Sequence, residues 1–154
     1  MWTLNRPGDT IANKNPDWYA VNRKGQNSLE FRAYVDYYQW LSPFHPDARE
    51  HIINNAKKLI KLDGLESVHL DYVRFPDVIL GADLQPKYNI IQDKELPEYD
   101  YGYHPIARKE FKKIFDKNFI FSTVLDQISF WLTKIMWSPK FLKIIMAIKP
   151  NTCL

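Results

Sequence analysis

The sequence holds a single cysteine, Cys153, in 154 residues. That excludes an intrachain disulfide and any metal site built from cysteines. Glycine is scarce as well, with five residues. No dinucleotide fingerprint GxGxxG, no phosphate loop GxxxxGK[ST], no HExxH and no GxSxG is present, so P-loop, zincin and serine-triad chemistries have no support. No apolar run reaches the ~18–20 residues of a membrane span, and residues 1–8 contain no apolar core of a signal peptide. As written, nothing in the sequence exports or anchors the chain. Strong charge of one sign is also missing. The formal net charge is +3 and the lysines are spread, which does not select nucleic acid as a partner.

What is present describes an ordinary globular domain. The hydrophobic fraction is 45% and the charged fraction 25%, enough apolar side chain to bury a core. Aromatic residues reach 15%, which reads first as core and second as platforms on which sugars or bases stack.

The chain is organised around residues 65–76, Leu-Glu-Ser-Val-His-Leu-Asp-Tyr-Val-Arg-Phe-Pro. Alternation predicts a strand with Val68, Leu70 and Tyr72 on one face and Ser67, His69, Asp71 and Val73 on the other. Pro76 cannot donate to a ladder and ends it. Arg74 then sits at the C-terminal mouth, where parallel α/β sheets and barrels place ligand-handling residues. The plain alternative is a buried His–Asp pair that only satisfies itself.

Met1 to Leu4 reads as the end of a strand running into a turn at Arg6-Pro7-Gly8-Asp9, a hint that the domain starts upstream. Residues 9–33 read as a long loop folded over the domain and pinned by Trp18, Tyr19 and Val21. Residues 34–41 predict a short strand. Pro46 opens a helix whose apolar face carries Ile52, Ala56, Leu59 and Ile60, with Gly64 as its left-handed stop. Strand, helix and the 65–76 strand then make a βαβ unit with a parallel pair. Residues 77–103 form an acidic, tyrosine-rich loop after that strand. Its Tyr88, Tyr99, Tyr101 and Tyr103 are positioned to line a groove. Pro105 opens a second helix to about Asp116. Residues 119–154 lack Gly, Glu and Arg. They read as a further helical pair broken at Pro139, or as a tail that is not the native continuation of the domain.

A carboxylate at a strand mouth suits glycoside hydrolysis, which needs two carboxyl groups flanking the glycosidic bond. Asp71 is the candidate catalytic group. His69 would bond Asp71 or a sugar hydroxyl, and Arg74 would hold Asp71 ionised. Trp2, Trp18, Trp40 and the loop tyrosines offer stacking surfaces. The second carboxyl group is not identifiable among Asp77, Asp83 and Asp100. A metal held by His69 and Asp71, with further ligands from His45, His51 or His104, is the less favoured alternative. No metal site and no cofactor is assigned.

The run Val68-His69-Leu70-Asp71-Tyr72-Val73-Arg74-Phe75-Pro76 resembles the HLDY-[IV]-R-[YF]-P signature of the glycosyl-hydrolase-like family 10 domain. These are bacterial (β/α)8 barrel proteins, distinct from the family 10 xylanases. Trp2-Thr3-Leu4-Asn5 resembles the family's W-x-x-N strand end, and Asn15-Pro16-Asp17-Trp18 through Gly25 resembles its loop. Trp40-Leu41-Ser42-Pro43 with the following helix, and Tyr101-Gly102-Tyr103, continue the likeness to about residue 118. Where the family has Asp-Gly directly before the motif strand, this chain interposes Leu65-Glu66. The resemblance implies an α/β fold, a truncated (β/α)8 TIM barrel over residues 1–118, since a whole barrel takes ~250 residues. It implies a glycoside hydrolase fragment acting on a polysaccharide or peptidoglycan glycan. An exported location, periplasmic, outer-membrane-associated or extracellular, is implied too. Catalytic Asp71 and substrate-binding His69, Arg74, Trp2, Asn5, Trp18, Trp40 and Tyr103 are the residues expected at the site. The competing expectation is a barrel remnant that binds glycan without turnover.

Overall fold

A computed structural model describes residues 1–115, so the reading of residues 119–154 lies outside the described residues. Among the described residues there are two α-helices: α1, Pro46–Ile60, and α2, Pro105–Phe115. Both begin at a proline that follows a histidine. Proline suits the first helical position because its missing N–H is one the helix could not use. In α1, Asp47 sits in the first turn and Lys57 and Lys58 in the last, with the signs the helix dipole favours. Ala48, Ile52, Ile53 and Ala56 are buried, and Gly64 follows at φ +77. Helix α2 buries Ala107 and Phe111, one turn apart, against Phe44 and Tyr103.

The expected strands are reduced to isolated bridges among the described residues. Trp2 pairs with Asp71 in parallel, and Asn5 with Trp40 and Tyr19 with Leu41 antiparallel. Residues 1–4 thus lie between two partners. On one side, Asp71 N donates to the Met1 carbonyl at 2.8 Å, and Thr3 N to the Asp71 carbonyl at 2.7 Å. On the other, Leu41 N donates to the Leu4 carbonyl at 2.9 Å, and Arg6 N to that of Gln39 at 2.8 Å. This changes the βαβ reading. The parallel partner of the 65–76 segment is residues 1–5, not 34–41. Residues 39–41 instead run back antiparallel to residues 4–6, delivering the chain to α1.

Tyr72 interrupts the ladder. Its φ of +50 is left-handed, a conformation costing a non-glycine residue ~1–3 kcal/mol. It moves the next bond out of parallel register, onto Leu4 N and the Tyr72 carbonyl at 3.0 Å. The alternation of faces nevertheless holds up to that point: Val68, Leu70 and Tyr72 are half-buried, while Ser67, His69 and Asp71 are exposed.

Residues 9–33 form a pinned loop. Asp9 Oδ1 accepts from Ile11 N and Ala12 N at 3.1 and 3.0 Å, starting the 3-10 turn Ala12–Lys14. A second turn, Pro16–Trp18, follows. The main core joins Leu4, Tyr19, Trp40 and Leu41 to Ala48 and Ile52 of α1. No helix among the described residues is long and apolar enough to cross a membrane.

Candidate active site

Residues 1–5 and 69–72 run in the same direction, so their C-terminal ends open on one edge. Arg6 to Thr10 leave from the first, and Arg74 to Asp77 from the second. That edge is where parallel β-structures collect ligand-handling groups.

Asp71 is exposed beside its bridge partner Trp2. Its Oδ1 accepts the Tyr72 N–H at 2.8 Å. Its Oδ2 takes no hydrogen bond among the described residues. The expected helpers are placed differently from the sequence reading. Arg74 Nη1 pairs with Asp77 Oδ1 at 3.0 Å rather than with Asp71. Among the described residues no hydrogen bond joins the exposed His69 side chain to Asp71.

Trp2, 41% exposed, is braced by other rings: Tyr72 at 4.8 Å edge-on and Tyr37 at 5.9 Å. Trp40 backs Tyr72 at 5.5 Å but is fully buried, so it supports the platform and offers no face to a ligand. Tyr103 is buried too. Its hydroxyl accepts from Arg23 Nε at 3.0 Å and donates to Asp100 Oδ2 at 3.0 Å. Burial pushes the Asp100 carboxyl up, more than its hydrogen bonds and the Arg23 charge pull it down. This cluster ties residues 22–25 to residues 95–103, and Tyr103 belongs to it rather than to a groove. Tyr99 stacks on Tyr34 at 4.6 Å and Tyr101 is buried. Asp77 and Asp100 are therefore both ion-paired.

Beyond Trp2 lies a pocket of about 570 Å3, lined by the 5–11 turn and by His51 and Asn55 of α1. Its floor is a carboxylate the sequence reading passed over. Asp9 Oδ2 accepts from Arg6 Nε and Nη2 at 3.0 and 2.8 Å and pairs with His51 Nε2 at 2.8 Å. Burial alone would raise its pKa. The bonds from His51, the Ala12 N–H and Arg6, with the His51 charge, outweigh that and lower it to about 2. Asn55 Nδ2 lies 3.2 Å from the same His51 nitrogen. Trp18, half-buried, covers His51 with ring centres 5.4 Å apart. Asn5 is fully buried in the pocket wall, with Oδ1 accepting from Gln39 N at 2.9 Å.

The structure thus brings Trp2 to Asp71, joins Trp2 and Asn5 in one pocket, and stands Trp18 on its histidine. It leaves Trp40 and Tyr103 inside the protein. Arg6, Asp9 and Asn55 were not expected at the site, and His51 was named only as a further ligand in the less favoured metal reading. The available signals were the Pro7-Gly8-Asp9 turn and the one-turn spacing of His51 and Asn55. No local pattern joins two segments 42 residues apart. Among the described residues no group of three or more His, Cys, Asp or Glu stands close enough to hold a metal ion.

Among known families, the model of one described as "putative glycosyl hydrolase domain" matches residues 8–113. No curated protein and no solved structure matches the chain.

Proposed function

Because the chain belongs to that glycosyl hydrolase domain family, we propose that its chemistry is hydrolysis of O-glycosyl bonds in a polysaccharide or peptidoglycan glycan, with Asp71 as one of the two carboxyl groups. The fold proposed for it is part of a (β/α)8 barrel over residues 1–118, of the glycosyl-hydrolase-like family 10 type that the HLDYVRFP run resembles.

The observation that carries this reading is the parallel bridge between Trp2 and Asp71. It sets an exposed carboxylate next to a braced, exposed indole, at the edge where the two segments end. Asp71 Oδ1 is held by the Tyr72 N–H, which leaves Oδ2 to exchange a proton with a glycosidic oxygen or to attack the anomeric carbon. Which of these it does depends on its distance from the second carboxyl group, ~5–5.5 Å for retention and ~6.5–9.5 Å for inversion. Asp9 and Asp100 are both committed to internal hydrogen bonds. Neither supplies that second group in this arrangement.

The test is release of reducing ends from glycan strands by the full chain and by Asp71→Asn. A carboxyl group of this kind contributes ~10²–10⁴-fold, so release should fall at least ~100-fold in the variant. Undiminished release by Asp71→Asn removes Asp71 from the reaction. Glycan binding by the parent chain with no release favours a binding remnant instead.

A further inference from the structure

We propose that Trp2 and Tyr37 together form a stacking platform for one pyranose ring of the bound glycan, beside the bond that Asp71 acts on, with Tyr37 as a substrate-binding residue of the site. The platform rests on the hydrolase reading for the class of its ligand. Three observations carry it.

The two rings are adjacent and open to solvent. Trp2 is 41% exposed and Tyr37 40%. Their centres lie 5.9 Å apart, with planes 34° from parallel. A sugar inserted between them would need a carbon contact of ~3.5–4 Å on each side, more than that gap holds. A ligand ring therefore lies across the outward faces, where the C–H face of a pyranose can cover an aromatic surface.

Both rings are held in place before any ligand arrives. Tyr72 meets Trp2 edge-on at 4.8 Å, and Tyr38 meets Tyr37 edge-on at 5.0 Å. Behind them the buried Trp40 lies 5.5 Å from both Tyr38 and Tyr72, centre to centre. The backbone of Tyr37 is tied down as well. Gln39 N donates to its carbonyl at 3.0 Å, and Tyr38 N donates to the Val35 carbonyl at 3.0 Å. Little freedom is left for a ligand to remove, so the ordering cost of binding is small.

The platform adjoins Asp71. Trp2 is the bridge partner of Asp71, and bridge partners share a face of the ladder. The turn that carries Tyr37 is tied to the end of the Asp71 segment, because the Tyr34 hydroxyl donates to the Asp77 carbonyl at 2.7 Å. Three non-glycine residues among those described have positive φ, and two of them, Tyr34 at +56 and Tyr72 at +50, lie in these two segments. Backbone strain of this kind gathers where ligands are held.

The experiment is an NMR titration of the full chain, 15N-labelled at tryptophan, with chitopentaose and with cellopentaose. The Trp2 indole N–H peak is identified by its loss in Trp2→Leu, and it should move with at least one oligomer. Tyr37→Ala should weaken that binding at least ~5-fold, while Tyr37→Phe, which keeps the ring, should stay within ~2-fold of the parent. Tyr37→Leu keeps apolar bulk without a flat face. It should lose as much as Tyr37→Ala, and it covers the case in which the alanine variant does not fold. A Trp2 peak unmoved by both oligomers, unchanged affinity in the folded alanine or leucine variant, or an equal loss in Tyr37→Phe overturns the platform. Reducing-end release with an unmoved Trp2 peak rejects the platform and keeps the hydrolase. A moving Trp2 peak that depends on Tyr37, without release, does the opposite.

Discussion

Asp9→Asn is the substitution that most directly tests how the pocket is built. Asp9 accepts three hydrogen bonds on Oδ2, two from Arg6 and one from His51, and two on Oδ1 from Ile11 N and Ala12 N. Asparagine can keep the Oδ1 pair, but it turns an NH2 group toward three donors and leaves Arg6 without its counter-charge. The magnitude follows from the carboxyl pKa, lowered from 3.8 to about 2 although burial opposes the change. At ~1.4 kcal/mol per pH unit this is about 2 kcal/mol of stability at neutral pH. The folded-state pKa is the lower one. The contribution is therefore present above the unfolded value near 4 and is lost as pH falls through about 2. Opposed donors and an uncompensated guanidinium add to it, for a total of ~2–4 kcal/mol and a melting shift on the order of 10 °C. Urea unfolding of both proteins across pH 2 to 7 measures it. The gap should be widest at pH 7 and narrow toward pH 2. A variant within ~0.5 kcal/mol of the parent at pH 7, or two parallel pH profiles, refutes the account.

Two more outcomes follow from the packing. Phe111 is fully buried on α2 against Phe44 and Tyr103, so Phe111→Ala should cost ~3–5 kcal/mol in chemical denaturation. His104 accepts the Ile106 N–H on Nδ1 at 3.2 Å and donates from Nε2 to the Asp17 carbonyl at 2.8 Å, which makes it neutral. Burial lowers its pKa, with the neighbouring His45 adding to the effect, against the raising influence of the Asp17 hydrogen bond. Its folded pKa is below the unfolded one. Stability should then be full above about 6.5 and fall as pH drops through the window beneath it. His104→Gln should flatten the pH 7 to 5 part of the melting profile, and an unchanged slope would show that His104 does not set it.

Both helices were legible in the sequence because their signals are local. A proline at the first helical position, an apolar stripe one turn apart and a glycine stop need only neighbouring residues, and α1 and α2 lie where those signals put them. The alternation of faces around Asp71 was legible for the same reason, down to the exposure of His69 and Asp71. Membership of a glycosyl hydrolase domain family, at that coarser level, followed from the residue pattern itself, without any contact being known.

The pairing of segments was decided elsewhere. Residues 34–41 and 1–5 are both short, apolar and followed by turns, and no local preference ranks them as partners for residues 65–76. The core ranks them: burying Leu4, Trp40 and Leu41 together leaves only the flank of residues 1–4 open to the Asp71 segment. Partner choice for side chains is just as non-local. Arg74 reaches Asp77, three residues on, before it reaches Asp71. Tyr103 is drawn inside because burying a large aromatic ring is favourable and Arg23 and Asp100 satisfy its hydroxyl. The sequence by itself determined the two described helices, the polar face at Asp71 and the glycosyl hydrolase character of the family. Only the tertiary structure decided that Trp2 stands beside Asp71 and that Asp9 meets His51. Those contacts depend on where long loops return, and loop return is governed by burial and pairing summed over the whole domain.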